Sequence, residues 1–155
     1  LNAPDDVLFG VRPDASGWSP AQHLHHIWVA NGKSLAAALY IAYGRGDTDG
    51  APNEIGRAVL EAASIPRRAM TAPDTVRPPD DLDRAGLQEA LTRSRSKLDA
   101  VGEHLDPLGA AEGRIEHPRM GMLDGPQWLR FVRVHSEHHL AIVRDILSSD
   151  PASSR

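Results

Sequence analysis

The sequence predicts an all-α fold, a helical bundle with one long crossover connection. Three observations lead there. Apolar residues recur at alternating steps of three and four along two segments and form a stripe along a third, the pattern of buried helical faces. Capping signals mark where two of these segments start. A proline-rich stretch, Ile65 to Asp80, is long enough to join parallel neighbours in a bundle. At 155 residues and 41% hydrophobic content the chain suits one domain with a sizeable core. The expected organisation is an irregular segment over 1–17, the helical domain over 18–148 and a fraying tail over 149–155.

Leu1 to Gly17 is rich in Pro, Asp and Gly, and its apolar patch of Val7, Leu8 and Phe9 suits one helical turn at most. The first long helix has Ser19 as N-cap, Pro20 at its first position and Gln22 completing a capping box; Gly44 and Gly46 stop it, giving Pro20 to Tyr43. Its stripe is Leu24, Ile27, Trp28, Leu35 and Ala38, with Asn31 embedded in it. A polar loop, Arg45 to Asn53, leads to a short helix over Glu54 to Ala63 and then to the crossover with Pro66, Pro73, Pro78 and Pro79. Asp80, Asp81 and Asp83 favour the amino end of the next helix. Its seam of Leu87, Leu91, Ser94, Leu98, Val101 and Leu105 carries no ligand and is expected to pack, with Pro107 ending it. A loop, EHPRMGMLDGPQW, precedes the last helix, where Asp124 and Gln127 form a second capping box.

The seam of the last helix is Trp128, Val132, His135, His139, Ile142 and Ile146, so two imidazoles sit where hydrocarbon is expected. Residues four apart share a helix face, and a divalent metal is an economical partner for two neutral imidazoles on successive turns. A carbonyl or carboxylate would satisfy either ring as well. His138 approaches the same face, but the run through Val132 and Ile142 favours His139. On the first long helix His23 lies at the edge of the stripe while His25 and His26 fall off it; periodicity does not say which is inward, and each alone suits a solvated or capping role. His117 lies in the loop before the last helix, which could fold over the mouth of a site there.

Composition narrows the chemistry. With no cysteine there is no disulfide, thiol nucleophile or thiolate ligand, leaving histidine and carboxylate. A net charge of -4 and scattered basic residues argue against nucleic acid or anionic lipid as partner. The longest apolar run, Leu35 to Tyr43, is too short to cross a bilayer, and no leader pattern precedes it, so a soluble, cytoplasmic protein is expected. There is no internal repeat, glycine-rich phosphate loop or G-x-S-x-G elbow.

Three patterns stand in order: W-S-P-A-Q-H-L-H-H at Trp18–His26, H-P-R-M-G-M-L-D at His117–Asp124 and H-S-E-H-H-L-A-I at His135–Ile142. Together they resemble the DinB-like superfamily of metal-dependent proteins, including the YfiT type, over Trp18 to Leu147. The resemblance implies a four-helix bundle and, as ligands, the histidine two turns after the tryptophan-serine start, His26, with His135 and His139. It implies a divalent ion, zinc or nickel first, with an open position for water or substrate; imidazole suits iron and copper too. In that family a long helix precedes the tryptophan-serine segment. Leu1 to Gly17 is too short for it, so either that helix lies upstream of Leu1 or a second copy, in a homodimer, covers the seam.

What the resemblance implies for function is a metal-dependent enzyme acting on a small molecule, a thiol S-transferase or a hydrolase, with a low-molecular-weight thiol as one expected substrate. The alternative is a non-catalytic metal- or ligand-binding stress-response module, and a third reading has the histidines packing with no metal. No catalytic residue or general base is evident, since Glu137 points around the helix from the ligands.

Overall fold

The helix that runs Pro20–Ala42, α2, packs against the two other long helices, α4 (Arg84–Gly102) and α6 (Gly125–Ser148). The computed structural model describes residues 1–67 and 71–148. Around the long helices lie α1 (Asp5–Phe9), α3 (Glu54–Ala62), α5 (Leu105–Ala110), a 3-10 turn at Asp74–Val76, and a hairpin of β1 (Arg114–His117) and β2 (Gly121–Asp124). The fold is all-α apart from that hairpin. No helix among the described residues is long and apolar enough to cross a membrane.

Both long histidine-bearing helices start where their side chains satisfy orphan amides. The Ser19 hydroxyl accepts from Gln22 N at 3.2 Å while Ser19 N donates to Gln22 Oε1 at 3.0 Å. At α6, Asp124 Oδ1 accepts from Gln127 N at 2.8 Å and Asp124 N donates to Gln127 Oε1 at 3.1 Å. These boxes set where each helix starts. The core is Leu35, Ala38 and Ile41 of α2 against Trp128, Phe131 and Val134 of α6, closed by Val59 and Leu60 of α3, Val101 of α4, and Met120 and Leu123 of the hairpin. Each such aliphatic or aromatic side chain, fully buried, contributes about 1.5–3 kcal/mol. A smaller cluster of Leu8, Ala21 and Leu87 ties α1 to the starts of α2 and α4.

The patch Val7 to Phe9 lies in the short helix α1, in keeping with the helical turn it suits. Three other local expectations need correction. The seam of α4 is only half buried: Leu87, Ser94 and Val101 are inside, but Leu98 is 55% exposed and Leu105 53%. α4 ends at Gly102, where His104 N donates to Val101 O at 2.9 Å, and Pro107 does not end it. Pro107 instead falls in the first turn of α5, where a missing N–H leaves no bond unmade. The stretch EHPRMGMLD is not a plain loop; it pairs in register Ile115↔Leu123 and Glu116↔Met122. Gly121 makes the turn possible at φ 78°, a left-handed conformation that favours glycine. The expected tail, 149–155, lies outside the described residues.

Candidate metal centre

α2 and α6 cross so that four imidazoles meet: His23 and His26 from one helix, His135 and His139 from the other. His26, His135 and His139 each offer a ring nitrogen, and the three atoms lie within 4.8 Å of one another. His23, His26 and His135 are buried and His139 is half-buried. The indole of Trp18 covers the group, stacked 6.4 Å from the His139 ring and 5.1 Å from that of His26.

The hydrogen bonds fix where the protons sit. His26 Nδ1–H donates to the Val76 carbonyl at 2.8 Å, which leaves its Nε2 a bare lone pair. Ser136 Oγ donates its proton to Val132 O at 2.7 Å and so accepts from Asn31 Nδ2 at 2.8 Å, which turns Asn31 Oδ1 toward His135. His135 Nδ1–H donates to that oxygen at 3.2 Å, and its Nε2 is bare too. The two Nε2 atoms stand 3.0 Å apart. Two lone pairs at that distance repel unless an electrophile sits between them or one ring changes tautomer at the cost of its outer bond. The donor set therefore fits a cation, and ring nitrogens anchored through Nδ1 are the usual arrangement around one.

Burial keeps these rings neutral. The pKa of His135 is pushed down to about 3 and that of His139 to about 2, by desolvation first and then by the neighbouring imidazoles. His23 falls to about 4, again through burial and then His26. His26 is lowered by burial against the opposing effect of its bond to Val76. Neutral imidazole is the form that ligates.

The cluster opens on a cavity of about 590 Å³. Trp18, Trp128, Phe131 and Ile142 supply apolar wall, while Lys33, Arg77 and Arg119 bring positive charge and Asp74 a carboxylate. The hairpin does bring His117 to this wall, its ring 4.7 Å from Phe131 and 5.3 Å from Trp128. His138 lines the same cavity but stands outside the three-nitrogen group. Glu137 is on the outer face, paired with Arg133 at 3.5 Å. Spacing alone reveals neither Asn31 nor the Val76 carbonyl as a partner of these rings; the asparagine embedded in an apolar stripe is the one signal the sequence offers.

A helical bundle with buried histidines from two helices facing a cavity is the class that this geometry defines. A family model described as the DinB superfamily matches residues 1–143, and the chain belongs to that superfamily. Membership and the three-histidine cluster together fit a metal-binding protein. No curated protein and no solved structure matches the chain.

Proposed function

We propose that this protein is a divalent-metal-dependent enzyme acting on a small molecule, with His26, His135 and His139 as ligands and thiol S-transfer or hydrolysis as its reaction. The observation that carries the reading is the 3.0 Å approach of two imidazole nitrogens whose protons are committed elsewhere. The three ring nitrogens, all within 4.8 Å of one another, are the atoms that would hold such an ion. Zinc or nickel is the expected ion. When bound, it would supply Lewis acidity toward a thiolate, a carbonyl or a water whose pKa then falls to near 7.

The chain's own residues do the rest. Val76 and Asn31 hold two rings in the ligating tautomer. No carboxylate is among the ring partners of the three histidines, so the ligands themselves would not neutralise a dication and an anionic fourth partner is favoured. Trp18 and Phe131 give the cluster an apolar wall, and Lys33, Arg77 and Arg119 draw anions toward the cavity. A low-molecular-weight thiol fits those requirements.

The test is turnover of an activated electrophile with added small thiols by zinc- or nickel-loaded protein, beside His135→Ala. Activity that disappears in the variant supports the proposal. Stoichiometric metal without turnover of thiol or ester substrates would instead favour a binding module.

A further inference from the structure

We infer that His23 is a positioning residue for His139, accepting at its Nδ1 the proton that His139 carries when it ligates. The inference rests on the metal-dependent reading above. The two Nδ1 atoms lie 3.0 Å apart, and His23 is 3% exposed, so its ring has to find its partners inside the protein. One proton serves two nitrogens there. A ligating His139 offers its lone pair at Nε2 and holds its proton on Nδ1. His23 then accepts at Nδ1 and keeps its own proton on Nε2, which donates to Ser16 Oγ at 2.8 Å. That hydroxyl also accepts from Trp18 N at 3.1 Å, which joins the relay to the indole covering the cluster.

Each ligand thereby has a separate outer anchor: the Val76 carbonyl for His26, Asn31 for His135 and His23 for His139. His23 differs from the other two anchors. A carbonyl or a fixed amide oxygen can only accept, whereas an imidazole can also donate. If Ser16 donated to His23 instead, His139 would present an N–H to the cluster and could not ligate. His23 is not itself a fourth ligand, because it is outside the group of nitrogens within 4.8 Å.

Two measurements on the full chain decide it. In the zinc-loaded protein, ¹⁵N NMR of the imidazoles should find His139 protonated at Nδ1 and His23 at Nε2. Titration with cobalt(II) alone should show His23→Leu binding one ion 10–100-fold more weakly, the usual cost of losing an outer partner. His23→Asn, which keeps an oxygen acceptor near the Nδ1 position, should return to within a few-fold of the unsubstituted chain. His139→Ala separates the two readings. If it loses cobalt while His23→Leu binds normally, the metal reading stands and the role of His23 falls. A proton on His23 Nδ1, or loss of a nitrogen ligand from the cobalt spectrum of His23→Leu, also overturns it. An unsubstituted chain that binds no cobalt sinks both.

Discussion

Acidifying the metal-free protein should unfold it through its buried histidines. The ordinary pKa of histidine is about 6.5, and the folded chain holds His135 at about 3 and His23 at about 4. Below pH 6.5 the unfolded chain takes up protons that the folded chain refuses, so stability falls as the pH drops, and stops falling on this account once the folded pKa values are passed. Each such histidine costs about 1.4 kcal/mol per pH unit at full slope, which amounts to about 2 kcal/mol at pH 5. His135 is 7% exposed and His23 3%, so solvent screening discounts neither. Together they remove about 4 kcal/mol from a total that for ordinary domains is about 5–15 kcal/mol. Urea unfolding in the presence of chelator, at pH 7, 6 and 5, measures it. His135→Leu should remove its own share, about 2 kcal/mol of the fall between pH 7 and pH 5, while His23, His139, His117 and the other lowered rings keep theirs. Stability that is level from pH 7 to 5, or a variant with an unchanged slope, would refute neutral burial of these rings.

Other outcomes follow from the same contacts. Asn31→Leu removes the acceptor of His135 Nδ1–H and should cost about 1–3 kcal/mol in urea unfolding and 10–100-fold in metal affinity by titration, while Asn31→Asp keeps an acceptor and should bind metal at least as well. Gly121→Ala places a Cβ 2.7 Å from Asn53 N at φ 78°, and should lower stability by about 1–3 kcal/mol in the same assay. Adding the ion at 100 times its Kd should raise stability by about 2.7 kcal/mol, seen calorimetrically as a rise in Tm of about 5–10 °C. His26→Ala should abolish that rise.

The long helices that bear histidine are legible because their signals are local. Ser19 with Gln22, and Asp124 with Gln127, need only neighbours in sequence to bond, and the structure has both boxes. The choice among His23, His25 and His26 is different. α2 is covered by α4 on one flank and α6 on another, so a single stripe understates what is inside, and both His23 and His26 are buried. Partners of these rings lie far along the chain: Val76 for His26, His139 for His23 and His135 for Asn31. No periodicity encodes such pairs. The α4 seam misleads for the opposite reason, since α4 packs on α2 while Leu98 on the same seam stays exposed. The hairpin has a faint signal, Pro118 and Gly121 bracketing a turn, but strands of four residues are too short for alternation to distinguish from loop.

The most direct test is the elemental content of protein dialysed against trace divalent metals. About one zinc or nickel ion per chain is expected, falling to none in His26→Ala and in His135→Ala with the helical circular dichroism retained. A chain that holds no stoichiometric ion, or a His26→Ala variant that keeps its full complement, would contradict a cation shared between α2 and α6.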